Sequence, residues 1–359
     1  MKLTCLAILL AASHAESAPA SDQTTASPAA ADAAHPELGR IDWRRDFDAA
    51  AAEAKEVRRP LLVLFDEVPG CHTCVSYGQD VLSHPLIVEA AETLFVPVAV
   101  FNNAAGDDRR ILDSFGEPAW NNPVVRIVDH DRAAMAPRLA DAYDAATLAD
   151  TMIEALAEEA PRWLELLADD APHPDARPQT ATFGMHCFWQ GEAELSGLAG
   201  VHRTTVGFLD GAEVVEVTFD ANRLAYADLL REALRLECAH RVFTRDASQQ
   251  SDAASIVGDR AVRTDEPIRR SRKDELYFLR RSRFAAVPMT WRQAATANHA
   301  INEGGDPATV LSPGQSRLFR DMTRIGEWPD LIGRDDACLI EDWRRVERRL
   351  NSESDDGRS

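Results

Sequence analysis

Apolar residues fall in blocks from Gly39 onward, and their spacing predicts the elements. Trp43, Phe47, Ala50, Ala51 and Ala54 recur at helical spacing, so a helix is expected over 45–57. The unbroken run Leu61-Leu62-Val63-Leu64-Phe65 predicts a strand buried on both faces. A helical pattern over 75–82 restarts at Pro85-Leu86-Ile87-Val88 and runs to Leu94. The run 95–101 reads as a second strand, with Pro97 pointing to an edge or a strand start. A short helix over 107–115 and a strand over 122–128 follow, and 132–142 is placed to pair with that strand as a hairpin. Leu148, Met152, Ile153 and Leu156 share one face of a helix over 144–160, capped by Asp144. Trp163 to Leu167 suggest a last helical turn.

A charged, proline-rich stretch, Asp169 to Gln179, separates this block from the next. The second block reads as a strand from Ala181, a helix to about Leu198, strands over 200–208 and 212–219, and a helix over 222–236. That β-α-β-β-α order is ferredoxin-like in layout. Residues 246–350 hold helical patterns over 289–301, 312–323 and 342–350.

The ends differ in composition. Residues 1–15 carry one lysine, about ten apolar residues and a small-x-small close, as a secretory signal does. That implies a periplasmic or secreted location. Residues 16–38 are rich in Ala, Ser, Thr and Pro without apolar period, and read as a disordered linker. Residues 351–359 read as a polar, disordered tail. The expected organisation is therefore a signal (1–15), linker (16–38), first domain (39–168), linker (169–179), second domain (180–245), helical extension (246–350) and tail (351–359). The 359 residues suffice for two cores. A net charge of −20 argues against nucleic acid or anionic membranes as partners, and no apolar run is long enough for a membrane span.

Of six cysteines, Cys5 would leave with the signal, so five remain: Cys71, Cys74, Cys187, Cys238 and Cys338. An odd number in a large chain is no disulfide scaffold. Cys71-His72-Thr73-Cys74 sits where the first strand passes into a helix. A thiol at a helix start lies among unpaired N–H groups that favour thiolate, and a cysteine three residues on shares its face. A redox dithiol is the reading this favours. Half a zinc site or a structural disulfide are the alternatives. No second pair follows at zinc spacing, and so short a loop stabilises little. No cofactor and no metal are called for.

These residues resemble the thioredoxin family. The resemblance implies a thioredoxin fold, with Cys71 the attacking thiolate, Cys74 the resolving thiol, and Pro123 a cis-proline facing them. The usual Trp-Cys-Gly-Pro-Cys context is absent, and His72 between the cysteines would stabilise the thiolate.

Cys187-Phe188-Trp189-Gln190-Gly191-Glu192, Gly200-Val201, Gly207-Phe208, Glu213-Val214-Val215 and Phe219-Asp220 follow in the order of the A-type peptide methionine sulfoxide reductases, which they resemble. The resemblance implies that the Cys187 thiolate, favoured by its helix start, attacks a sulfoxide sulfur. Phe188 and Trp189 would hold the methyl group and Glu213 would protonate the oxygen. Cys238 is a possible resolving thiol; a buried structural thiol is the alternative. Three features depart from that family: His186 replaces a glycine, the loop before Glu213 is nearly absent, and a later Asp-x-Gly-x-Gln-Tyr-Arg run is missing. The fold class expected is α/β plus α+β: a thioredoxin fold, then a ferredoxin-like, sulfoxide-reductase-like domain with a helical C-terminal extension.

Three functions follow as expectations. One is an exported thiol enzyme that reduces peptide methionine sulfoxide through Cys187, recycled by Cys71 and Cys74. The second is a general thiol–disulfide oxidoreductase with a non-catalytic second domain. The third is a redox-sensing or interaction protein. The first two imply protein or peptide substrates and an upstream thiol reductant.

Overall fold

The computed structural model describes residues 35–172, 175–236, 239–326, 328–332 and 337–356. The signal, Cys5, most of the first linker and Cys238 lie outside these residues.

The first unit is built on an apolar strand. The helix α1 (Phe47–Val57) is capped by Asp46, which accepts from Ala49 N. It leads into β1 (Leu61–Asp66), whose six residues are all buried. Then come α2 (His72–Asp80), α3 (Pro85–Leu94), β2 (Val96–Phe101), α4 (Asp107–Phe115), β3 (Val124–Val128), α5 (Ala145–Leu156) and α6 (Arg162–Ala168). The strands are ordered β2-β1-β3, with β2 parallel and β3 antiparallel to β1. Single bridges extend the sheet at both sides: Arg44 joins Val98, and Leu139 and Ala134 join Val125 and Val128. Pro97 lies on β2, at one side of the three paired strands, where a missing N–H is tolerated. Separate apolar clusters cover the two faces of the sheet, one with Leu62, Leu64 and Ile127, the other with Leu61, Val63 and Phe65. A central strand with two covered faces is what an unbroken apolar run requires.

The second unit contains β4 (Pro178–Met185), α7 (Phe188–Ser196), β5 (Val201–Leu209), β6 (Ala212–Asp220), α8 (Tyr226–Arg235), β7 (Ala239–Thr244), α9 (Ala247–Val257), β8 (Ala261–Arg263) and β9 (Arg269–Arg270). Its sheet is ordered β8-β7-β4-β6-β5-β9. Both outer strands therefore come from 246–350, the stretch expected to be a helical extension. They are three and two residues long, too short for a period of two to mark them in the sequence.

The rest of the extension holds α10 (Tyr277–Arg280), α11 (Trp291–Asn302), α12 (Pro313–Ile325) and α13 (Ala337–Asp356). The last helix continues to Asp356, so 351–356 are not the disordered tail expected. The linker also ends early: Pro36–Leu38 form a 3-10 turn, and its Glu37 is only 3% exposed.

The extension ties the two units together. Leu166 of α6 packs with Leu276, Leu279 and Trp291. Glu89 of α3, nearly buried, meets the start of α12: it accepts from Ser312 Oγ and, at 2.6 Å, from Gly314 N. A carboxylate at a helix start satisfies N–H groups that have no partner within the helix. Glu89→Ala should therefore cost about 2–3 kcal/mol, because two buried donors lose a charged acceptor. Urea denaturation checks this; an unchanged midpoint would count against it.

Candidate functional site

Cys71 occupies the N-cap of α2 in extended backbone, and the helix carries Cys74 one turn on. Cys71 is exposed and Cys74 is buried, and their sulfurs lie 2.9 Å apart. This asymmetry decides the chemistry. The contact with the Cys74 sulfur, and after it the N–H groups of Cys74 and Thr73, bring the Cys71 pKa below the ordinary thiol value. Burial first, then the Cys71 contact and Asp66, push the Cys74 thiol upward. An exposed thiolate beside a buried thiol is a nucleophile with its own resolving group.

Facing the pair is the loop before β3. The Asn122–Pro123 peptide is cis. Asn122 Oδ1 lies 3.0 Å from Cys74 Sγ and 3.9 Å from Cys71 Sγ. The loop is pinned by Asn121 N to Pro118 O, at 3.1 Å, and by Asn102 Nδ2 to Asn121 O, at 3.2 Å. At its start, burial opposes ionisation of Glu117. Its bonds to Arg138 and Arg126 prevail and hold the carboxyl below its ordinary range. Trp120 stands on this braced loop with 82% of its surface exposed.

Asp66 ends β1 beneath the dithiol. It is fully buried, and burial raises its pKa to about 7, with the Cys74 thiol against it. Its Oδ1 accepts from Glu67 N at 2.9 Å, and its Oδ2 has no hydrogen-bond partner. Glu67, Cys71 and Cys74 offer donor atoms within 4.8 Å of one another, the set that would hold a soft metal ion here.

The second thiol has a different setting. Cys187 is the N-cap of α7, partly buried. Glu213 begins β6 in register with Met185 of β4, and its carboxylate accepts from Phe188 N at 3.0 Å. The structure thus brings Cys187, Phe188 and Glu213 to one place. Phe188 packs on Phe208 at 5.5 Å. Trp189 is not open to a ligand on both faces: Tyr277 stacks on it at 3.7 Å and 10°, and its Nε1 donates to Asp274. Buried Glu192 holds that segment in place by accepting from Leu276 N at 2.6 Å and from Thr204 Oγ. Burial raises the Glu192 pKa to about 8. The extension is thus part of this site. Beside it, the rings of His186 and His240 stack at 4.7 Å. Cys338 lies on α13.

Sequence reasoning missed Asp66, Asn122, Tyr277 and the role of Glu192. A lone acid closing an apolar strand was a usable signal for Asp66, since a carboxyl buried there has to titrate abnormally. No local pattern marks Tyr277, which meets Trp189 across 88 residues of chain.

Comparison with known proteins bears on the first unit most directly. A family model described as thioredoxin-like matches residues 42–130, which carry β1, the dithiol and β3. Residues 42–130 are a thioredoxin-like domain. The cis Pro123 and the Cys71–Cys74 pair both lie within it.

Curated relatives are similar over a short stretch. Peptide methionine sulfoxide reductase MsrA of Geobacter metallireducens is 39% identical over 70 residues, 15% of this chain and 43% of that protein. The MsrA of Salinispora arenicola is 38% identical over 77 residues, 17% and 34% of the two chains. The peptide methionine sulfoxide reductase of Drosophila melanogaster is 38% identical over 64 residues, 14% and 26%. The chain spans less than half the length of each of these relatives. A solved structure named DsbH Oxidoreductase superposes with a TM-score of 0.28 at 16% identity, over 33% of this chain and 85% of that one.

Proposed function

We propose that the protein is a thiol–disulfide oxidoreductase that works through Cys71 and Cys74 of its thioredoxin-like domain. The observation that carries this is the exposed Cys71 thiol held 2.9 Å from the buried Cys74 thiol, under the loop of Pro123. The Cys71 thiolate attacks a disulfide in a protein or peptide, and one substrate sulfur leaves as thiolate. Cys74 then gives up its proton and attacks Cys71 sulfur, which expels the second substrate sulfur. The substrate gains two electrons and the protein ends with a Cys71–Cys74 disulfide, which an upstream thiol reductant reopens. Insulin-disulfide reduction by the purified protein tests this. Wild type no faster than its Cys71→Ser variant would overturn it.

A second reading adds peptide methionine sulfoxide as a substrate at Cys187. It is favoured by the meeting of Cys187, Phe188 and Glu213, and by the likeness to the reductases named above. Cys187 would attack the sulfoxide sulfur while Glu213 protonates the oxygen, leaving a thioether and a sulfenic acid. A thiol would then condense with the sulfenic acid to a disulfide and water, and the dithiol would reduce that disulfide. Tyr277 on Trp189 stands where the methyl group would have to pack. On this reading, sulfoxide reduction with dithiothreitol should rise at least several-fold in Tyr277→Ala and vanish in Cys187→Ser. Equal rates in wild type, Tyr277→Ala and Cys187→Ser would remove it. Because residues 1–15 resemble a secretory signal, we place the chemistry outside the cytosol; fractionation of cells making the full chain checks that.

A further inference from the structure

A cleft of about 330 Å³ lies where the thioredoxin-like domain, the residues after α6 and the C-terminal extension meet. Much of its lining is apolar. Val81 at the end of α2, Ala146 of α5 and Leu167 of α6 are buried there, and Ile340 of α13 joins them from the extension. Asp80, Asp144 and Asp170 line it too, and among the described residues no lysine, arginine or histidine does. Asp144 keeps its charge, because the donors it accepts from, Thr147 N and Thr147 Oγ, are neutral. Asp80 is the last residue of α2, and the carbonyl end of a helix is itself negative. Carboxylates gathered against apolar walls focus a negative field.

The cleft adjoins the helix that carries the dithiol. Cys74, Tyr77 and Val81 are spaced by three and then four residues, so they share one face of α2. Tyr143, which also lines the cleft, packs its ring edge-on to Tyr77 at 5.8 Å and is itself 39% exposed. The helical rise puts Val81 about 10 Å beyond Cys74. An extended peptide covers that distance in about three residues.

We propose that this cleft is a subsite for the peptide whose disulfide Cys71 attacks, and that it takes an apolar side chain beside a lysine or arginine three or four residues from the substrate cysteine. The proposal rests on the thiol–disulfide reading above and adds a substrate class to it. Charge complementarity selects the basic residue, and the apolar lining selects its neighbour. A cleft of this volume is at the small end of ligand sites, so it takes side chains of a segment rather than a folded domain.

The test uses the full chain in its reduced form and short peptides whose single cysteine is joined to thionitrobenzoate. The Cys71 thiolate bonds to the peptide sulfur, the bond to thionitrobenzoate breaks, and the coloured thiolate leaves. Its release gives the rate. One peptide carries Leu-Lys at the third and fourth positions from its cysteine, a second carries Leu-Glu there, and a third has its lysine next to the cysteine. Each is made in both chain directions. In wild type the first peptide should react about tenfold faster than the second at low salt. The third should lose most of that advantage. Asp80→Lys should reverse the order of the first two, and Ile340→Trp, which fills the cleft, should bring their ratio toward one. Each ratio is taken within one protein, so partial unfolding of a variant does not alter it. Equal rates in wild type overturn the proposal. So does a preference for lysine that ignores its position and survives Asp80→Lys, since net charge alone produces that. Release from every peptide no faster in wild type than in Cys71→Ser would instead overturn the thiol–disulfide reading itself.

Discussion

Cys71→Ser should abolish disulfide reduction, to below about one thousandth of wild type, while Cys74→Ser should accumulate a mixed disulfide with substrate. The two cysteines are chemically unequal. Cys71 is exposed, and its thiolate is favoured by the Cys74 thiol and by the N–H groups at the start of α2. Cys74 is buried and held protonated by burial, Cys71 and Asp66. Loss of Cys71 therefore removes the nucleophile, and nothing nearby replaces it. Loss of Cys74 leaves attack intact and blocks release. Mass spectrometry of the Cys74→Ser protein mixed with an oxidised peptide reads this directly. An adduct on Cys74 in Cys71→Ser, with activity retained, would reverse the assignment.

Asp66→Asn should stabilise the reduced protein at alkaline pH and slow the resolving step about 100-fold. Burial raises the folded-state pKa of Asp66 above its ordinary value of 3.8, to about 7. The folded protein thus binds the proton more tightly than the unfolded chain does. The stability contributed by this group is fully present below about pH 4 and is lost as pH rises through 7. A displacement of that size corresponds to roughly 4 kcal/mol, and the substitution should recover about half of it, since asparagine also disturbs the bond from Glu67 N. Urea denaturation should show the variant about 2 kcal/mol more stable at pH 8 and about 2 kcal/mol less stable at pH 4, where only the disturbed bond counts. An equal difference at both values would show that ionisation of Asp66 is not the cause.

The two thiol centres are organised differently. Cys71 and Cys74 form a self-contained dithiol, open on one side and backed by a carboxyl that titrates near neutrality. Cys187 depends on groups from three places: Glu213 from a neighbouring strand, Glu192 from its own helix, and Tyr277 from the extension. The extension also carries the Glu89 contact, so a change in how it packs would reach both units.

The sequence by itself determined the elements with strong local signals. The unbroken apolar run over 61–65 required a central strand with both faces covered. The Asp144 cap was expected, and its side chain accepts from Thr147 N. Cys71 and Cys74, one turn apart after an apolar strand, were legible as a dithiol, and Pro123 as its neighbour only through the family likeness. Tertiary structure decided what sits around them. Glu37 lies in a stretch whose composition reads as linker, yet close packing of its backbone on Gly78 makes it a buried acid. The short strands β8 and β9 carry too little local pattern to be strands alone and form where the edges of the sheet offer them partners. Tyr277 reaches Trp189 because Glu192 anchors Leu276. Local pattern records how a segment hides its own apolar face. It does not record which distant polar groups burial forces together, such as Asp66 beneath the dithiol and Glu192 beneath the Trp189–Tyr277 stack.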